Sequence, residues 1–128
     1  MYSSRLGAEP SAEQAYDLFA RGTGLLRDGH PHQAAVVLRR AKQLEPEKAS
    51  IREALGRALF MSGRAAHARR EFAKAVQIDP ANDYAHFALA LACERTGART
   101  RAIGHLKLAL AMRPEAPDYA RALERLAG

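Results

Sequence analysis

Apolar residues recur along the chain at helical spacing, three or four positions apart, in seven stretches separated by short polar turns that carry Gly or Pro. The first stretch covers residues 12–28, with Ser11 and Gln14 placed as a capping box that satisfies free N–H groups. Gly29 closes it, because glycine takes the left-handed conformation of a helix C-terminus at no steric cost. Pro31 then opens a partner over 31–44, where a first-turn proline gives up only an N–H the helix does not use. The same reading predicts helices at 49–62, 65–78, 83–96, 99–112 and about 118–127, with Asn82 or Asp83 as a cap.

A longer period lies over the helical one. Gly29, Gly63 and Gly97 stand 34 residues apart, as do Ala34, Ala68 and Ala102, then Ala41, Ala75 and Ala109, then Pro46, Pro80 and Pro114. Leu38, Phe72 and Leu106 keep the same step, and so do Leu44, Ile78 and Met112. The chain is therefore three copies of a helix–turn–helix unit that bury their apolar faces by stacking. Gly22, Gly56 and Ala90 fall in mid-helix, where glycine costs up to about 1 kcal/mol relative to Ala. That cost is tolerated where helices approach closely, and the alanine columns at 34/68/102 and 41/75/109 are expected to meet these sites. Leu25, Leu59 and Cys93 fill the gap one turn on, which makes Cys93 a small buried hydrophobe rather than a nucleophile.

Leu55-Gly56, Leu59, Ala68, Phe72, Ala75 and Pro80, with their equivalents over about residues 15–116, resemble the tetratricopeptide repeat. The resemblance implies an all-α, right-handed α-solenoid of three antiparallel helix pairs plus a C-terminal capping helix. Its repeats fall at about 15–48, 49–82 and 83–116, with the cap at 117–128. Residues 1–11 read as a flexible leader and 12–128 as a single domain. Where such repeats usually carry a bulky apolar residue, the chain has Leu18, Arg52 and His86, and Arg21 replaces a Leu, so looser packing is expected in the outer repeats.

The resemblance also implies a concave groove lined by the first helix of each pair. Setting aside the packing columns leaves Tyr16, Phe19, Thr23, Leu26 and Arg27 from the first repeat. The second leaves Ser50, Glu53, Arg57, Phe60 and Met61, and the third Tyr84, Phe87, Leu91, Glu94 and Arg95. The cap adds Asp118, Arg121 and Arg125. All of these except Leu26, Ser50, Glu94, Asp118 and Arg125 are candidate partner-binding residues. Aromatic and Arg side chains together form the composition of binding hot spots, and Met adds an adaptable surface. Phe19, Phe60 and Phe87 sit where the family also wedges neighbouring repeats together, so binding and packing both stay open for them. A subclass of the family grips carboxylate-terminated chaperone tails through Lys and Asn. The matching sites here hold Phe19, Thr23, Ala54, Tyr84 and Ala88, none of which keeps the clamp residue type. The groove suits a helix or extended segment with hydrophobic anchors and some acidic residues, not a chaperone tail.

Composition changes this picture at its margins. Hydrophobic residues make up 48% of the chain, aromatics 6%, and Trp is absent, which suits helices packed through small side chains rather than a β core. Twenty basic residues against fourteen acidic give +6, which favours acidic partners. Arg39, Arg40, Lys42, Arg69, Arg70, Lys74, Arg99, Arg101 and Lys107 lie on the second helices, toward the convex side, where they could neutralise phosphates. Glu45, Glu71 and Asp79 interrupt that field, and no aromatic row accompanies it, so a solvated face is preferred and nucleic acid disfavoured.

The five histidines share no i, i+4 face and the one cysteine cannot build a thiolate site, so no metal is expected. The glycines form no phosphate loop and no nucleophile–base pair stands out, which points to no cofactor and no enzyme. Charged residues interrupt every apolar run before membrane-spanning length, and the first ten residues lack the apolar core of a signal peptide. A cytoplasmic location is the resulting expectation. The sequence thus points to a protein–protein interaction module, adaptor or scaffold. Two other readings stand beside it: self-association through the outer face of the first repeat, and nucleic-acid binding through the convex Arg rows.

Overall fold

The seven helices appear in the predicted order in the computed structural model, which describes residues 10–128. They are α1 (Pro10–Arg27), α2 (Pro31–Leu44), α3 (Ala49–Met61), α4 (Ala65–Ile78), α5 (Asp83–Arg95), α6 (Arg99–Met112) and α7 (Pro117–Ala127). No strand occurs among the described residues. One difference is at the start. Pro10 is already helical, as a first-turn proline can be, so Ser11 lies inside α1 and does not open it as a capping residue. The rest of the expected leader lies outside the described residues.

The turn inside each pair is built three times in the same way. Gly29, Gly63 and Gly97 have φ of 84°, 81° and 84°, the left-handed conformation a side chain would disfavour. The residue after each glycine then donates its N–H back to the preceding helix: His30 to Leu25 O, Arg64 to Leu59 O and Ala98 to Cys93 O, all at 2.8 Å. These bonds satisfy carbonyls that the helix end would otherwise leave free. Of the two proposed caps, Asn82 acts, its side-chain oxygen accepting from the Ala85 N–H at 3.1 Å.

α1 packs on α2, α3 on α4 and α5 on α6, each second helix packs on the next first helix, and α6 packs on α7. The core runs the length of this stack and includes Leu38, Leu55, Leu59, Phe72, Cys93 and Leu106, all fully buried. The mid-helix glycines serve a different neighbour from the one expected. A Cβ on Gly22 would lie 2.4 Å from Leu38 Cγ, and one on Gly56 would lie 2.5 Å from Phe72 Cε1. The glycines thus admit the large side chains of the second helix, not the alanine columns.

The sites occupied by Leu18, Arg52 and His86 do not leave loose packing. Each has a partner 19 residues later. Leu18 shares an apolar cluster with Val37. Arg52 Nη1 donates to Glu71 Oε1 at 3.1 Å, while Lys42 Nζ lies 2.7 Å from Glu71 Oε2. His86 and His105 bring their Nδ1 atoms to 3.1 Å with rings stacked at 5.3 Å between centroids. Arg52 Nε also donates to Pro46 O at 2.9 Å, and His86 Nε2 makes the equivalent 2.9 Å bond to Pro80 O one repeat later. A carbonyl only accepts, so His86 carries a proton on Nε2, and of the two facing Nδ1 atoms one donates and the other accepts. Buried polar groups are tolerable once partnered in this way.

Candidate partner-binding groove

Side chains of α1, α3 and α5 that do not pack on the second helices form the groove floor, and α7 extends it. The 34-residue step runs on into α7: Tyr16, Ser50, Tyr84 and Asp118 share one column, and Asp17, Ile51, Ala85 and Tyr119 the next. Tyr119 is buried, and its hydroxyl donates to Asp83 Oδ2 at 2.6 Å, an oxygen that Arg113 Nε also reaches at 3.0 Å. The Tyr119 hydrogen bond, aided by Arg113, holds the Asp83 carboxyl below its ordinary pKa. Burial and the Asp83 contact push the Tyr119 phenol up. Phe87 stacks on Tyr119 with centroids 4.7 Å apart, and Tyr84 leans on Phe87 at 6.2 Å.

Three depressions result. Asp83, Tyr84, Phe87, Arg113 and Tyr119 line a cleft of about 520 Å³ between α5 and α7. Two repeats earlier, Tyr16, Phe19, Glu45, Lys48, Ser50 and Ile51 line its equivalent of about 280 Å³. Between them lies a smaller, mostly apolar pocket of about 110 Å³, lined by Arg57, Phe60, Met61, Phe72, Tyr84, Ala88 and Leu91.

The candidates divide accordingly. Tyr16, Met61 and Tyr84 are open to solvent at 68%, 55% and 39%. Phe19, Phe60 and Phe87 are half-buried against the core. Phe60 is also covered by the Arg95 guanidinium, 4.7 Å from its ring centre. Arg57 is half-buried, its Nε is fully buried with no hydrogen-bond partner, and it makes no ion pair among the described residues. Glu53, one turn earlier, is half-buried, and its burial raises its pKa against the opposing pull of Arg57. Thr23 spends its hydroxyl on Ala20 O at 3.1 Å. Arg121 pairs with Asp118, and Arg125 reaches Glu94 at 2.6 Å, tying α7 to α5. Thr23, Arg27, Glu53, Arg95 and Arg121 line none of the three depressions. Leu26, part of the set left after the packing columns, is buried in the core.

The Asp83–Arg113–Tyr119 cluster was not among the candidates. Extending the columns one helix further would have found it, because Tyr119 falls in the buried column of Ile51 and Ala85.

Cys93 is buried, which raises the pKa of its thiol and keeps it unreactive. No three His, Cys, Asp or Glu side chains among the described residues are grouped to hold a metal. No described helix is long and apolar enough to cross a membrane.

A family model described as tetratricopeptide repeat matches residues 19–83, and a second with the same description matches residues 59–126. Solved structures share the fold at low identity. The first such domain of Spaghetti (RPAP3), bound to the HSP90 peptide SRMEEVD, is 16% identical with a TM-score of 0.86, over 90% of this chain and 91% of that one. The second such domain of human RPAP3, in complex with the HSP70 peptide SGPTIEEVD, is 17% identical with a TM-score of 0.87, over 92% of this chain and 98% of that one. The Arabidopsis OM64 domain is 20% identical with a TM-score of 0.87, over 91% of this chain and 97% of that one. No curated protein matches the sequence.

Proposed function

The chain belongs to the tetratricopeptide-repeat family, and from that premise we propose that it is an interaction module whose concave groove takes a helix or extended segment of a partner protein. Two of its structural neighbours are described with peptides bound, which supports the general mode. Their peptides end in the same acidic four residues, yet the positions where the family's tail-gripping members place Lys and Asn hold Phe19, Thr23, Ala54, Tyr84 and Ala88 here. The proposed occupant instead lays apolar side chains into the pockets beside Tyr16 and Tyr84 and brings a carboxylate to Arg57.

The observation that carries this reading is Arg57. A buried donor without a partner costs about 1–3 kcal/mol, and the arginine that carries it lines an apolar pocket with Phe60, Met61, Tyr84 and Leu91. A carboxylate from a ligand would complete the guanidinium in a setting where charge-assisted bonds are strong. Panning a display library of random linear peptides against the chain tests it. Enriched sequences should pair an aliphatic or aromatic residue with a nearby Asp or Glu. Tyr84→Ala should abolish enrichment, and Arg57→Met should remove the acidic preference while leaving the apolar one. A folded protein that enriches no peptide sinks the proposal.

A further inference from the structure

Charge is segregated between the two layers of the solenoid. α1, α3 and α5 carry five acidic and five basic side chains, whereas α2, α4 and α6 carry nine Arg and Lys and a single carboxylate, Glu71. Glu71 does not interrupt the basic field, contrary to the expectation from sequence. It is buried and bound by Lys42 at 2.7 Å and Arg52 at 3.1 Å, so it neutralises only its own partners. Glu45 and Asp79 stand at the helix ends, and Glu47 takes up Lys74 at 3.5 Å. Arg39, Arg40, Arg70, Arg101 and Lys107 make no ion pair among the described residues. His67 sits among Arg39, Arg64 and Arg70, and desolvation followed by those charges lowers its pKa.

Exposed aliphatic side chains share these helices. Val36, one turn before Arg39 and Arg40, is 59% exposed, and Leu108, beside Lys107, is 48% exposed. Met112 follows one turn later and is also exposed. The only aromatic residue on the three second helices is Phe72, which is buried. A single-stranded nucleic acid surface gains much of its affinity from stacked aromatics, and none is offered. An anionic bilayer fits both halves of the pattern. Its phosphates and carboxylates attract a cluster of Arg and Lys, and the boundary below the headgroups accepts Val, Leu and Met.

We propose that the convex face of α2, α4 and α6 docks on an anionic lipid surface, leaving the concave groove facing outward. The basis is the basic arc, whose one helical carboxylate, Glu71, is buried, and the exposed aliphatic side chains on the same helices. Co-sedimentation of the full chain with vesicles, at about 0.1 M salt where surface charges still interact over roughly 10 Å, tests it. Vesicles with about one-quarter phosphatidylserine should retain the protein, and pure phosphatidylcholine should not. Each neutralised Arg should lower the partition about fivefold, so Arg39→Gln, Arg70→Gln and Arg101→Gln together should cost about a hundredfold at unchanged helix content. Leu108→Gln should weaken retention further, and Tyr84→Ala should leave it intact, which separates this face from the groove. Equal retention on both vesicles, or none on the anionic ones, overturns the proposal. So does tighter binding to a short DNA or RNA duplex that Leu108→Gln leaves unchanged, which would assign the face to nucleic acid.

Discussion

At the scale of single residues, the instructive site is the one filled by Leu18, Arg52 and His86. One chain solves the same packing problem three ways: an apolar cluster that includes Val37, an ion pair with Glu71 and a histidine pair with His105. The sequence shows these positions as departures but not their partners, because a repeat column shows what recurs every 34 residues and not what it meets 19 residues on. The three solutions should differ under perturbation. Burial, then His86 and Arg101, lower the His105 pKa below its ordinary 6.5. The unfolded chain therefore takes up a proton as pH falls through about 6.5 while the folded chain resists it. Stability contributed by His105 is full above that pH and is lost on acidification. Thermal melts at about pH 7.5 and 5.5 should show a lower midpoint at the acidic end. His86→Leu with His105→Val, which copies the first repeat, should remove most of the difference.

The ion pair should behave in another way. Glu71→Val leaves Arg52 without its carboxylate in a largely buried site and should cost about 2–3 kcal/mol in denaturant melts. Adding Arg52→Leu, so that both partners become apolar as in Leu18 and Val37, should restore stability to within about 1 kcal/mol. If the double variant is worse than the single one, the pair is not the local unit that the geometry describes.

At the scale of elements, helix number, order and turns were legible because the turn inside each pair demands a residue with unusual backbone freedom, and the turns between pairs carry Pro46, Pro80 and Pro114. Gly29, Gly63 and Gly97 meet that demand with positive φ. The close-approach sites were legible as small residues, but not their neighbours, since a period shows which positions recur and not which face they meet. The consequence can be measured. Gly56→Ala gains up to about 1 kcal/mol of helix propensity. Yet its Cβ would lie 2.5 Å from the Phe72 ring, and overpacking of this kind costs about 1–3 kcal/mol. The clash should win, lowering the melting midpoint. Gly56→Ala with Phe72→Leu recreates the Ala90 and Leu106 pairing of the third repeat, both residues fully buried. That combination should recover part of the loss, whereas simple helix propensity predicts that the single variant is the more stable protein.

At the scale of the whole molecule, each helix pair touches only its neighbours, so stability is close to a sum of repeats and interfaces. Of the residues left after the packing columns are set aside, Tyr16, Met61 and Tyr84 are exposed, Phe19, Phe60 and Phe87 are half-buried and Leu26 is buried. The wall formed by α7 is less legible, because a single last helix lacks the Gly, Ala and Pro columns of a full repeat, although Tyr119 occupies a core column of the period. This tyrosine joins two functions: it closes the stack through Phe87, and through Asp83 it fixes the helix that carries Tyr84. Tyr119→Phe should keep the ring stack and lose the hydrogen bond, costing about 1 kcal/mol. Tyr119→Ala should cost about 3 kcal/mol or more through the cavity. Because coupling is nearest-neighbour, the loss should stay local. Hydrogen exchange should quicken in α5, α6 and α7 while α1 and α2 keep their protection. Uniform quickening along the chain would mean that the three repeats open as one unit. A groove held by such a cooperative body would be preformed throughout, whereas local opening at α7 would make the cleft beside Tyr84 its adjustable end.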